Sequence, residues 1–398
     1  MERSSNRVHV CAAPSWLGRL GASAPIRLAV VATLLALASA CGAAAGGAPA
    51  IPVDREPDGR WTAASATAWY DAQPWLVGAN FIPSTAINQL EMWQADTFDP
   101  ETIDRELGWA AAIGMNVMRV FLHDLLWEQD PRGFVERVDR YLAIADRHGI
   151  RTLLVLFDNV WDAEAHLGPQ PAPVPGVHNS GWVQSPPKQE TLAFANDPLL
   201  QARLERYVKG VLTAFHDDRR VLMWDLLNEP GNSNIHTGCL PLLEASFRWA
   251  REVAPSQPLT AGSWFLQTWA QVSKTSLDLS DVATFHNYDV EPKTAALIER
   301  LRGYTDRPLV CTEYMARTVG STFQTHLPLF RDQHVGAIHW GLVSGKTQTI
   351  WPWGSLPNPE ATEPPLWFHD VFRADGTPYD ADETEFIRAI TAEANGPR

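Results

Sequence analysis

Eight short apolar runs, separated for the most part by longer stretches with helical periodicity, constrain this chain more than any other feature. The runs are Trp75 to Phe81, Val117 to Leu122, Thr152 to Phe157, Val221 to Leu227, Leu259 to Gly262, Val282 to Phe285, Leu309 to Thr312 and Ala337 to Trp340. Amphipathic patterns cover Pro100 to Ile113, Val135 to His148, Leu199 to His216, Leu242 to Val253 and Lys293 to Arg302, and the first two stop at Gly114 and Gly149. Strands alternating with helical crossovers build parallel sheets. Eight in succession favour closure into a (β/α)8, or TIM, barrel over an open sheet. The 398 residues suffice for one such domain, and neither a repeat nor a linker divides them. Gly168 to Pro187 is too rich in Pro and Gly for a regular element and reads as a long loop on the active face. The segment from Glu360 is Pro-rich, then helical over Ala381 to Glu393, and is expected to close the barrel.

Residues 1–40 read as an export signal. Arg19 and Arg27 precede an apolar run from Leu28 to Ala40, of signal-peptide length and too short to span a bilayer. Small residues before Cys41 suit ordinary signal peptidase. The Cys itself resembles the end of a bacterial lipobox, with Ala38 standing where Leu is usual. Both readings cut the same bond. The second makes Cys41 a lipidation site and the product a lipid-anchored envelope protein rather than a secreted one. Residues 41–60 then read as a flexible tether and 61–398 as the catalytic domain. Cys239 and Cys311 are expected as free thiols, and no Cys or His spacing suggests a metal site.

The formal charge of −14, without Lys/Arg clusters, disfavours nucleic acid and other anionic polymers as partners. The 17 Trp point elsewhere. Some belong in a core, but Trp161, Trp182, Trp264, Trp340, Trp351 and Trp353 fall where barrel loops fall. Sugar rings present apolar C–H faces that stack on indole, so loop Trp suits a carbohydrate cleft.

Two of the apolar runs end abruptly in a carboxylate: Trp224-Asp225-Leu226-Leu227-Asn228-Glu229-Pro230 and Leu309-Val310-Cys311-Thr312-Glu313-Tyr314. A lone Asn-Glu-Pro is a weak signal. Two Glu delivered by the fourth and seventh of eight strands are what retaining glycoside hydrolysis needs. With these residues the chain resembles the clan A glycoside hydrolases, most closely the family 5 cellulase-like group of endoglucanases and mannanases, over roughly Trp75 to Trp353. The resemblance implies Glu229 as general acid/base and Glu313 as nucleophile. It implies that Arg119 pairs with Glu313 and keeps its pKa low, and that Asn228 bonds the sugar 2-hydroxyl. It places His286 in the substrate cleft, has Tyr288 donate to Glu313, and makes Trp340 the floor under the reacting sugar.

The third strand departs from the pattern. It ends Phe157-Asp158-Asn159, where many members carry a His. Asp158, Asn159, Trp161 and Trp264, with His123 and Asp124 after the second strand, are therefore further candidates for contact with sugar hydroxyls. Lys346, in the run from Gly341 to Thr349, either touches the glycan or is solvated. Together these features read as an exported, monomeric retaining hydrolase. It acts on a β-linked oligo- or polysaccharide of glucan, mannan or xylan type, needs no metal or organic cofactor, and meets the membrane only through Cys41. A non-catalytic carbohydrate-binding lipoprotein on the same barrel and a transglycosylase are the alternatives. The long loops leave endo and exo action both open.

Overall fold

The computed structural model describes residues 53–161, 164–264, 266 and 270–396. The export signal and Cys41 lie outside the described residues. All eight expected strands form, within a residue or two at each end: β1 Val77–Asn80, β2 Val117–Phe121, β3 Arg151–Val155, β4 Val221–Asn228, β5 Leu259–Gly262, β6 Ala283–His286, β7 Leu309–Glu313 and β8 Gly336–Trp340. They pair in parallel in the order β5-β4-β3-β2-β1-β8-β7-β6. The seam between β5 and β6 has only short strands to work with, so it closes through single contacts. His286 N donates to Ser263 O at 2.9 Å and Asp281 N to Leu259 O at 2.8 Å, and the Thr260 and Thr284 hydroxyls meet at 2.7 Å.

Alternation along the strands decides what enters the barrel. Val117 and Phe121 of β2, Leu153 and Val155 of β3, Met223 of β4, Val310 of β7, and Ile338 and Trp340 of β8 share one buried cluster. Their neighbours Met118, Val120, Leu154, Trp224 and Cys311 belong to the layer packed against the outer helices. Trp61, Trp69 and Tyr70, at or within the helix Ala63–Asp71, join the interior cluster beside the first strand residues and seal that end of the barrel.

Three outer helices begin in the same way. Pro100–Ala112, Pro131–Arg147 and Pro198–Phe215 each start with Pro, preceded by an Asp whose carboxylate accepts from the first-turn backbone. Asp at the cap and Pro at the first position satisfy one exposed N–H and remove another. This explains why the helix expected from Val135 starts at Pro131: the Asp130-Pro131 cap lies ahead of its apolar stripe. The short helices Gln89–Trp93, Asp124–Gln129 and Lys188–Ala193 were not legible as periodic segments. Neither was Phe323–Asp332, which carries Pro328 inside it.

The final helix, Ala381–Asn395, fills the last outer position, where Asn395 bonds both the N–H and the C=O of Trp75 at 2.8 and 3.0 Å. Cys239 and Cys311 are buried and unpaired, as expected. Among the described residues no helix is long and apolar enough to cross a membrane. Residues 54–60, assigned above to a flexible tether, are instead held to the barrel: Arg55 Nη2 donates to Pro255 O at 3.0 Å.

One carboxylate organises this end. Asp281 is buried and accepts from Trp61 N at 2.7 Å, Leu259 N at 2.8 Å, and Arg251 Nη1 and Nη2 at 2.7 and 2.8 Å. It ties the entering chain, the start of β5 and the preceding helix together. Removing it strands a nearly buried guanidinium and two backbone donors. Asp281→Ala is therefore expected to cost about 3–5 kcal/mol, read as a lower denaturant midpoint; a loss below about 1 kcal/mol, the size of an exposed pair, would contradict the assignment.

Candidate active site

Alternation places Arg119, two residues from Val117 on β2, inside the barrel, and a buried guanidinium must be fully partnered. It is. Nη1 donates to Glu313 Oε1 at 2.9 Å and to Asn80 Oδ1 at 2.8 Å. Nε and Nη2 donate to Asp225 Oδ2 at 3.1 and 2.8 Å, and Nη2 reaches Asn228 Oδ1 at 2.5 Å. Asp225 and Asn80 were not singled out from the sequence. Asp225 had a signal: it is a second charge inside an apolar strand, and two such charges of opposite sign point to each other.

Plain alternation does not turn Glu313 and Asn228 inward; bulges do. On β7 the pairing jumps from Phe285↔Cys311 to His286↔Glu313, and on β4 from Asp225↔Thr260 to Asn228↔Gly262. Each jump inserts one residue and reverses the facing of the residues after it. Glu229 comes next, in the left-handed region with φ 44°. Its N–H donates to Gly262 O at 3.0 Å and its C=O accepts from Asn232 N at 3.0 Å, which fixes the turn. Gly262 leaves room that these side chains use. A Cβ would stand 3.0 Å from Arg119 Nη2, 3.1 Å from His286 Nε2 and 3.3 Å from Asn228 Oδ1.

Oxygens of Glu229 and Glu313 come within 4.8 Å of each other, with His286 between them. His286 Nδ1 lies 2.7 Å from Glu229 Oε1 and 3.5 Å from Glu313 Oε2. Tyr288 donates its hydroxyl to Glu313 Oε2 at 2.8 Å, and Asn232 Nδ2 donates to Glu229 Oε2. Glu229, His286 and Glu313 are the one group among the described residues whose ligand atoms cluster closely enough for a metal. The 2.7 Å contact is a direct hydrogen bond that occupies the Nδ1 atom of the imidazole and one carboxylate oxygen.

The two carboxyls differ in their company. Burial pushes Glu229 up to about 7, against weaker pulls from Asn232 and Arg119. Burial also raises Glu313, and the charge of Glu229 adds to that, while His286, Arg119 and Tyr288 draw it back. Arg119 pairs with Glu313 and pulls its pKa down, as expected, but the net direction is corrected: burial outweighs a guanidinium already shared with Asp225. The difference still favours one arrangement, in which Glu229 holds the proton and Glu313, backed by Arg119 and Tyr288, carries the charge. Burial pushes His286 down to about 4, so at neutral pH it bridges the carboxyls as a neutral ring and its pull on Glu313 lapses.

Above the carboxyls lies a pocket of about 330 Å³, lined by Asn228, Glu229, Tyr288, Glu313 and five Trp: Trp161, Trp182, Trp264, Trp340 and Trp353. Trp340 packs edge-on against Phe121 and Trp182, with ring centres 5.7 and 5.5 Å away. Trp264 donates from its indole to Pro230 O at 3.1 Å. Trp351 does not line the pocket; its C=O accepts from His178.

Several expected sugar contacts serve the scaffold instead. His286 is buried between the carboxyls and does not line the pocket. Asn159 is fully buried and accepts from Gly231 N at 3.2 Å, bracing the turn after Glu229. Asp158 accepts from Trp182 Nε1 at 2.8 Å and Asn228 Nδ2 at 2.9 Å, and so holds both pocket residues. His123 bonds Gln184 O at 3.0 Å, and Asp124 pairs with Arg203 at 2.7 Å beneath the loop. Lys346 pairs with Glu91 at 2.5 Å. In each case neighbouring side chains or loop backbone already claim the polar atoms.

The assembly can present a proton on one side of a bound molecule and an electron pair on the other. Known proteins agree with the fold that carries it. No family model matches the chain. A stretch of 103 residues, 26% of this chain, is 28% identical to a probable mannan endo-1,4-β-mannosidase F of Aspergillus flavus, and equally to that of Aspergillus oryzae. The match spans only 19% of the fungal proteins' length. Among solved structures, an exo-β-1,4-mannosidase from an Opitutaceae bacterium superposes over 86% of this chain and 63% of its own, with a TM-score of 0.57 and 19% identity. A hyperthermostable endo-1,4-β-D-mannanase from Thermotoga petrophila superposes over 81% of this chain and all of its own, with a TM-score of 0.53 and 17% identity. At these identities the likeness establishes the barrel.

A carboxyl kept protonated by burial costs stability once the solution strips its proton. The carboxyl of Glu229 is raised from 4.5 to about 7, so the cost is absent below pH 4.5 and complete above about pH 7, on the order of 3 kcal/mol. Glu229→Gln is expected to match the wild type in Tm near pH 4 and to exceed it increasingly toward pH 8. A constant Tm difference across that range would contradict the raised pKa.

Proposed function

We propose that this chain is a retaining glycoside hydrolase that cleaves β-linked saccharides by double displacement, with β-mannosides the first substrate class to test. The observation that carries the reading is the pair of carboxyl oxygens within 4.8 Å, Glu313 bonded by Arg119 and Tyr288 and Glu229 by His286 and Asn232. Retaining enzymes hold their carboxyls about 5–5.5 Å apart, whereas inverting ones need roughly 6.5–9.5 Å to admit a water. Glu313, bonded by Arg119 and Tyr288, attacks the anomeric carbon; Glu229 protonates the departing oxygen and then deprotonates the incoming water. A protein that only binds sugar has no need of two buried carboxyls held this close together. The choice of mannosides rests on what the similar proteins are described as cleaving, and the Trp-lined pocket fits a pyranose face.

Turnover of aryl β-mannosides, β-glucosides and β-xylosides tests this. Glu313→Ala should lower kcat on the order of 10⁴-fold. Glu229→Ala should lose about 10²–10⁴-fold on poor leaving groups and far less on activated ones. Because Glu229 must be protonated to donate, wild-type kcat/KM should fall as pH rises through about 7. Substantial activity in Glu313→Ala, or equal losses in Glu229→Ala across leaving groups, would contradict the roles.

A further inference from the structure

Two loops line one side of the pocket as a wall, and a third is locked against them. They follow β1, β3 and β8, which neighbour one another in the barrel apart from β2 between the first two. From the β8 loop, Gln348 donates to Val174 O at 2.7 Å and Val177 O at 3.2 Å, and accepts from Gly176 N at 3.0 Å. Asn179 N donates to Thr347 O at 2.9 Å and Asn358 N to Pro175 O at 2.8 Å. The β1 loop joins both: Lys346 N donates to Ser84 O at 3.0 Å, and Asn88 Nδ2 to Gly181 O at 2.8 Å. The contacts are tight enough that a Cβ on Gly345 would lie 2.4 Å from the Ser84 backbone. Ser84 in turn is anchored below, its N–H on the buried carboxylate of Glu106 at 3.1 Å.

On the inner face of this wall stands Asn179. It lines the pocket, is 4% exposed, and neither Oδ1 nor Nδ2 has a hydrogen-bond partner among the described residues. Its φ of 48° explains why Asn is acceptable at the turn. That does not explain two unpaired buried polar ends, which are costly when nothing meets them; Gly would serve the turn alone. Beside it, His178 Nδ1 lies 2.7 Å from Trp351 O. A carbonyl only accepts, so Nδ1 carries the hydrogen and Nε2 remains an acceptor on a pocket-lining ring.

We propose that the enzyme cuts from the non-reducing end, holding one terminal sugar in the pocket with the Asn179 amide bonded to that sugar's hydroxyls. The inference rests on the retaining-glycosidase reading. In that chemistry the leaving oxygen lies at Glu229, so the rest of the glycan extends past Glu229, Asn232 and Trp264. The sugar attacked by Glu313 then points its other end at the wall. The loops stand where a preceding sugar would lie. A pocket of about 330 Å³ is at the small end of the roughly 300–1,000 Å³ range of ligand pockets.

The test uses β-1,4-mannohexaose and cellohexaose labelled at the reducing end, each also capped by a 4,6-O-benzylidene group on the terminal non-reducing sugar, with aryl β-glycosides alongside. Monosaccharide as the sole early product, and no cleavage of the capped forms, is expected. Longer fragments at early times, or cleavage of capped chains, would overturn end-on action while leaving the glycosidase reading in place. Silence on every oligosaccharide and aryl glycoside would overturn both. Asn179→Gly keeps the backbone conformation and removes the amide. It should lower kcat/KM on the cleaved hexaose about tenfold or more, the scale of one well-made hydrogen bond, without lowering Tm; an unchanged kcat/KM would overturn the role of Asn179.

Discussion

One buried cation governs the architecture of the active face. Arg119 is fully buried, and its five donors are met by groups on β1, β4 and β7. A guanidinium is a rigid planar fork, so its partners must come to it in fixed directions. Asn80, Asp225, Asn228 and Glu313 do so from around the ring. Asn80 extends the lattice by donating to Thr312 O at 2.7 Å and His339 O at 3.0 Å, which ties in the backbone of β7 and β8. The positions of the candidate nucleophile and of the residue preceding the candidate acid are thus set by one group.

The two ends of the barrel solve opposite problems. At the start of the strands, Trp61, Trp69 and Tyr70 plug the interior and Asp281 is met by four donors. At the other end, bulges interrupt β4 and β7, Glu229 sits at positive φ, and Glu229, Asp158 and Asp370 are all pushed up to about 7 by burial. Strained backbone and buried ionisable groups lower stability and persist where the surroundings over-determine them.

Much of this was legible in the sequence. The eight apolar runs gave every strand, because a strand buried on both faces needs nothing but continuous apolar residues. Arg119, Tyr288 and Glu313 were legible as a set through the resemblance to the clan A hydrolases, and for Arg119 also because a charge in an apolar strand demands partners. The bulges were not, since one extra residue in a run leaves its composition unchanged. For the same reason Asn159 and His286 looked like sugar contacts, whereas the turn after Glu229 and the space between the carboxyls claim them. Asn179 lay in a stretch readable only as loop. Its meaning comes from hydrogen bonds to residues 347–358, which no local pattern encodes.

The central claim is that Glu313, polarised by Arg119 and Tyr288, forms a covalent bond to the sugar. Incubation with 2-deoxy-2-fluoro-β-mannosyl fluoride, or the gluco analogue if that is the sugar turned over, slows hydrolysis of a glycosyl–enzyme enough to observe it by mass spectrometry. The account predicts one added glycosyl unit per chain, mapped to the peptide containing Glu313 and absent in Glu313→Ala. A label on any other residue, or turnover of the parent glycoside with inversion at the anomeric carbon, would contradict it.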